Sequence, residues 1–124
     1  MLRRGNRFHG YNSLRVVYQH GQTVRGSLLS LRYAPGKRAE FRCAVVVSRK
    51  VAKSAVVRAR IRRRIYEQVR LQMPAKAAPY DLVWTAFSDQ LATIDSATLA
   101  AQIGEMLAKA GLSSGIVNAK ESKN

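Results

Sequence analysis

The stretch Phe41-Arg42-Cys43-Ala44-Val45-Val46-Val47-Ser48-Arg49-Lys50-Val51-Ala52-Lys53-Ser54-Ala55-Val56-Val57-Arg58-Ala59-Arg60-Ile61-Arg62-Arg63-Arg64-Ile65 passes from the period of a strand to that of a helix. It opens as a strand over 41–48, with Phe41, Cys43, Val45 and Val47 alternating onto one face. Ala44 and Val46 make the other face apolar too, which predicts a central strand covered on both sides. The period then lengthens to that of a helix. From Lys53 to about Met73 the residues Val57, Ile61, Ile65 and Val69 form a slowly drifting apolar stripe, and Pro74 ends it. Lys53, Arg60 and Arg64 line one side of the stripe, Arg58 and Arg62 the other, and Arg63 and Arg70 lie opposite. One helix therefore buries an aliphatic seam and presents arginine on most of its remaining circumference.

Working outward, Tyr80 to Phe87 reads as the last strand, with Leu82, Trp84 and Ala86 set against Val83, Thr85 and Phe87. The unit from Phe41 to Phe87 is then strand, helix, strand, a crossover that packs its helix on one sheet face. Upstream, Leu29, Leu31 and Tyr33 alternate within a strand pattern over Val24–Tyr33, and Pro35-Gly36 begins a connection running to about Glu40. Asn12 or Ser13 can cap a short helix over Leu14–His20, with Leu14, Val17 and Tyr18 on one stripe and Gly21 as the stop. Downstream of the linker Lys76–Pro79 and the last strand, Asp95 or Ser96 caps a helix carrying Leu99, Ile103, Met106 and Leu107, stopped by Gly111. The order is helix, two or three strands, helix, strand, helix, and the expected architecture is an α+β two-layer sandwich, one domain over residues 1–111. Leu112–Asn124 reads as a disordered Ser/Lys/Gly-rich tail.

The charge is lopsided. The chain of 124 residues carries 22 Lys and Arg against seven Asp and Glu, a net charge of +15. Residues 1–70 hold 18 of those bases with only Glu40 and Glu67, whereas residues 71–124 hold four bases and five acids. Five arginines (Arg58, Arg60, Arg62, Arg63 and Arg64) fall within seven positions. A solvated helix face does not need that density, because self-repulsion opposes the compact state. A polyanionic partner does, and nucleic acid is the first such partner. The longest unbroken apolar run, Cys43–Val47, is far short of the ~20 residues that span a bilayer. No membrane partner is expected. One cysteine excludes a disulfide framework, and no signal peptide is visible, so the cytoplasm is the expected compartment.

Chemistry of the chain's own is not expected. A metal-dependent nuclease needs carboxylates converging on cations. Asp81 and Asp89 sit at opposite ends of the predicted last strand, on the order of 25 Å apart. Glu67 faces away from the seam and suits a pair with Arg63 or Arg70. His9, His20 and Cys43 have no zinc spacing, and no phosphate-binding glycine loop or nucleophile–base pair is present.

The run Val46 to Ile65, above all Ser48-Arg49-Lys50-Val51-Ala52-Lys53 and Arg58-Ala59-Arg60-Ile61-Arg62-Arg63, resembles the signature of the bacterial ribonuclease P protein subunit. Asn6-Arg7, Gly21 with Val24-Arg25-Gly26, and Asp81-Leu82-Val83 resemble the same family's flanks, so the likeness covers residues 6 to about 110. It implies an α-β-β-β-α-β-α fold with a left-handed strand–helix–strand crossover, as in one domain of a small-subunit ribosomal protein. It also implies the role: the subunit joins a catalytic RNA, and the complex, an endoribonuclease, removes the 5′ leader of precursor tRNA. Hydrolysis is carried by the RNA with Mg²⁺ that it largely holds, and no cofactor is bound by the protein itself. Three positions depart from the family pattern. Ala59 replaces a central Asn, Tyr66 stands where many members have Arg, and Leu14 occupies a position commonly Phe.

Two surfaces are expected to divide the work. Arg49, Lys50, Lys53, Arg58, Arg60, Arg62, Arg63 and Arg64 would face the catalytic RNA, their forks suiting phosphates. A shallow cleft between the first helix, the sheet and the long helix would hold the leader, with Leu14, Tyr18 and Tyr33 lining it and the tyrosines offering stacking faces. Arg25, Arg32 and Arg42 would border it. A structural ribosomal RNA-binding protein would share the charge and the fold. It would co-sediment with ribosomal subunits and leave leader removal unchanged.

Overall fold

The computed structural model describes residues 17–19, 21–36, 41–73 and 80–112. Four strands form one sheet: β1 (Gln22–Arg25), β2 (Leu29–Pro35), β3 (Arg42–Val46) and β4 (Tyr80–Ala86). Two helices follow the chain order as α1 (Ala55–Gln72) and α2 (Ser96–Ala110), and a 3₁₀ turn spans Asp89–Ala92. Residues 17–19 are helical, within the expected first helix. Leu14, the Asn12/Ser13 cap, the linker and residues 113–124 lie outside the described residues.

The sheet order is β1-β2-β4-β3, with β1–β2 and β2–β4 antiparallel and β3–β4 parallel. Parallel neighbours cannot be joined by a tight turn, and α1 supplies the crossover between them. Of the two or three strands expected before the long helix, three are present, and one expectation, the place of β3, is corrected. The apolar run over Val24–Tyr33 is two strands, because Gly26 closes a tight turn. Its N–H donates to Leu29 O at 2.8 Å, and a Cβ at Gly26 would lie 2.9 Å from that same oxygen. β3 is not central but the sheet's edge among the described residues, while β2 and β4 are interior. Its two-sided apolar pattern reflects two-sided cover and not a central place.

That cover comes from different elements. On one face Leu31, Cys43, Val45, Leu82 and Trp84 pack against Ile61, Ile65 and Val69 of α1 and Leu99, Ile103 and Leu107 of α2. On the other face Ala44 and Val83 pack against Val17. Strand alternation separates the two sets cleanly. The 17–19 turn and α1 thus lie on opposite faces of the sheet. Gly21 ends that turn, its N–H donating to Val17 O at 2.7 Å, and a Cβ there would lie 2.4 Å from the same oxygen.

Helix ends follow ordinary capping. The Ser54 hydroxyl accepts from Val57 N at 3.3 Å, and Asp95 accepts from Thr98 N at 3.2 Å. Gly111 takes the left-handed conformation at φ 75° that ends α2. The next residue closes the motif, with Leu112 N donating to Leu107 O at 2.9 Å. Leu112, assigned to the tail from its composition, is buried in the main core.

Candidate nucleic-acid interface

The seam of α1 fixes where its arginines point. Ile61, Ile65 and Val69 are fully buried, so the remaining arc faces outward. Arg60 and Arg63 are exposed on it, and Arg49, Lys50 and Lys53 are exposed on the loop that leads into it. The acid on this helix, Glu67, is taken up by Arg70. Nε donates to Oε1 at 3.1 Å, Nη2 donates to Oε2, and the guanidinium holds the Glu67 carboxyl down to about 2. Of the two partners offered by spacing, Arg70 is the one used. Among the described residues no carboxylate pairs with Arg60 or Arg63.

The other arginines of the cluster are partly committed to the fold. Arg58 turns back, its Nη1 donating to Ala52 O and Lys53 O, both at 2.9 Å, and ties down the loop before the helix. Arg64 donates from Nη1 to Leu91 O at 2.7 Å and from Nη2 to Ile94 O, so it straps α1 to the segment between β4 and α2. Sequence spacing puts Arg64 with Arg60 on one side of the seam, but Arg64 is half-buried against Leu91 and Ile94 while Arg60 is exposed. Arg62 is half-buried. Tyr66 is half-buried and packs against the core, which accounts for an aromatic at that position.

The second face of the sheet carries a different set. Strand alternation puts Thr23 and Arg25, Ser30 and Arg32, Arg42, Asp81 and Thr85 on the face of Val17. Arg42 is not free there. Its fork meets Asp81 at 3.0 Å and 2.9 Å, which removes its charge from the face and occupies one of the two acids weighed as metal ligands. Arg32 works on Tyr18. It donates to Thr23 Oγ1 at 3.0 Å and to the Tyr18 carbonyl, and its guanidinium lies 5.7 Å from the Tyr18 ring centroid. Tyr18 remains 41% exposed, so it is not a core residue. One ring, clamped by a cation and open to solvent, is a preorganised stacking surface.

Tyr33 does not join it. Its ring packs against the rim of the main core, 6.0 Å from the Tyr80 ring, and its hydroxyl donates to Gln22 Oε1 at 3.1 Å. The expected three-sided cleft is therefore corrected. Tyr18 and Tyr33 lie on opposite faces of the sheet, and α1 covers the face that Tyr18 does not. Leu14 lies outside the described residues. Sequence reasoning missed Phe87, which is also 41% exposed on the Tyr18 face, with the Arg25 guanidinium 5.2 Å from its ring centroid. Strand parity could have found it, since Phe87 falls in phase with Val83 and Thr85.

A small α+β domain with an arginine-faced helix and a sheet face bearing two exposed, arginine-capped aromatics has the features of an RNA-binding protein. The family model described as Ribonuclease P matches residues 2–111, and the chain belongs to that family. It is 37% identical over 111 residues to the ribonuclease P protein component of Chloroflexus aggregans, covering 90% of this chain and 82% of that one. The corresponding protein of Roseiflexus castenholzii is 35% identical over 123 residues, covering 99% and 100%. Among solved structures, the Staphylococcus aureus RNase P protein superposes with a TM-score of 0.75 at 19% identity, covering 86% of this chain and 96% of that one. The Thermotoga maritima RNase P protein gives 0.70 at 18% identity, covering 82% and 94%. The chain is thus a protein component of an endoribonuclease that works in tRNA processing, and its fold is that of the solved bacterial proteins.

Proposed function

We propose that the two faces described above split the work of the holoenzyme. Arg60 and Arg63, with Arg49, Lys50 and Lys53 on the approach loop, engage the phosphates of the catalytic RNA subunit. Tyr18 under the Arg32 clamp engages the single-stranded 5′ leader of precursor tRNA. Arg58 and Arg64 serve the same surface chiefly by holding its shape, and the half-buried Arg62 lies beside them. The observation that carries this reading is the exposed Tyr18 ring, pinned by Arg32 on the sheet face away from α1.

On this reading the chain holds no cofactor, and Mg²⁺ belongs mainly to the partner RNA. The protein's part is to bring fixed positive charge to crowded phosphates, which lowers the cation concentration needed to assemble the complex. A cytoplasmic place fits that role. Among the described residues no helix is long and apolar enough to cross a membrane.

The test is a pair of dissociation constants for holoenzymes carrying wild-type protein or Tyr18→Ala, measured with leader-bearing and leaderless tRNA. One base–aromatic stack is worth roughly 1–3 kcal/mol, so the precursor should lose about five-fold or more while leaderless tRNA is unchanged. Equal loss on both would remove Tyr18 from the leader site.

A further inference from the structure

We infer that Phe87 and Arg25 form a second stacking platform for the leader, past the end of β4 on the sheet face that carries the Arg32–Tyr18 clamp. The inference rests on the reading of that face as the leader's. The two platforms are built alike. Each is an aromatic ring 41% exposed, each is capped by an arginine from the β1–β2 hairpin, and the cation lies closer at Phe87 (5.2 Å) than at Tyr18 (5.7 Å).

The Phe87 platform is also fixed in place. The Phe87 N–H donates to Leu28 O at 2.8 Å, which ties the end of β4 to the turn between β1 and β2. Gly26 folds that turn beside Arg25, its N–H donating to Leu29 O at 2.8 Å. An exposed phenylalanine held this way gains little from burial. It offers one ring face to the arginine and leaves the other for a base, whose phosphate Arg25 can also reach.

The register gives the spacing. Arg32 pairs with Val83, and Phe87 lies four residues further along the chain. At ~3.3 Å per residue the backbone of Phe87 lies roughly 13 Å along the strand from the Arg32 clamp, about the length of four stacked nucleotides at 3.4 Å each. A short leader reaches one platform; a longer one reaches both.

The experiment uses assembled holoenzyme and precursor tRNAs whose leaders run from one nucleotide to roughly twice the span of the face. Affinity is referred to leaderless tRNA, so that effects on assembly cancel. Phe87→Leu keeps the apolar bulk but removes the ring, and Phe87→Tyr keeps the ring. Phe87→Leu should weaken long-leader precursor about five-fold or more, and Phe87→Tyr should retain wild-type affinity. Of Phe87→Leu and Tyr18→Ala, one should act on short and long leaders alike and the other on long ones only. Phe87→Leu matching wild type at every length would overturn the second platform, as would equal loss in Phe87→Tyr. If Tyr18→Ala still weakens precursor in that case, the leader face stands without Phe87. If neither substitution acts, the leader face falls as well.

Discussion

The guanidinium of Arg64 on α1 reaches across to the carbonyl oxygen of Leu91, 2.7 Å from Nη1, while its second nitrogen donates to Ile94. The most arginine-dense segment of the chain is therefore not one uniform RNA-facing surface. A planar fork can satisfy two carbonyls at once, and those carbonyls belong to the 3₁₀ turn and the residues that lead into α2. Leu91 itself is fully buried in the main core, so this strap fixes a segment that carries core contacts.

Arg64→Ala should lower stability by about 1–3 kcal/mol, the range for hydrogen bonds from a charged group with the acceptors left behind. Arg64→Lys should recover only part of that, because one ammonium cannot fork both carbonyls. Arg60→Ala and Arg63→Ala should leave the melting temperature unchanged and weaken RNA binding. Thermal melts beside RNA affinity separate the two classes.

Ile61→Ala should cost about 2–5 kcal/mol and leave intrinsic RNA contacts in place. Ile61 is fully buried at the centre of the α1 seam, where a truncated side chain leaves a cavity between helix and sheet. Chemical denaturation should show a lower midpoint with an unchanged slope. A variant as stable as wild type would contradict the assigned face.

RNA binding should be steeply salt-dependent. If each of the five exposed cations Arg49, Lys50, Lys53, Arg60 and Arg63 meets one phosphate, log K should fall with log salt with a slope of about −3.5 to −4.5. Arg60→Ala should reduce that slope by roughly 0.7–0.9, and a titration of affinity against salt concentration reads both. Arg42→Ala should not change it, since Arg42 is neutralised by Asp81.

Cys43 should be inert in the folded protein. It is fully buried on β3, and burial pushes its thiol up from its ordinary value. A thiol-specific reagent should label it only in denaturant. The unfolded thiol ionises near pH 8.5, so above that pH the unfolded chain binds fewer protons than the native one and stability falls as pH rises. Cys43→Ala, although less stable throughout, should show a flatter decline between about pH 8 and 10.

Much of this was legible in the chain, and the failures have identifiable causes. The seam Ile61–Ile65–Val69, the caps at Asp95 and Gly111, and the strand–helix–strand crossover follow from periodicity and from residues whose local chemistry is strong. Gly26 does not by itself mark where the run over Val24–Tyr33 divides, because its neighbours Val24 and Leu29 are apolar. What broke the strand was a close approach to the Leu29 carbonyl, a tertiary fact invisible in a pattern. β3 reads as central because an edge strand covered by Val17 on one face and α1 on the other has the composition of an interior one. Tyr33 joins Tyr18 only through the cleft that the family likeness implies, whereas alternation within β2 sets it on the side of Leu31, opposite Arg32. Arg64 shows the same limit. Helical phase locates a side chain around the axis but not which distant carbonyl it reaches.

Whether this chain assists an RNA catalyst or cuts by itself is read from leader cleavage of precursor tRNA across a Mg²⁺ series, using catalytic RNA with and without the purified protein, and the protein alone. The protein should shift cleavage to lower Mg²⁺, and RNA-free protein should cut nothing. Cleavage by the protein alone, or an unchanged Mg²⁺ requirement when it is added, would contradict the account.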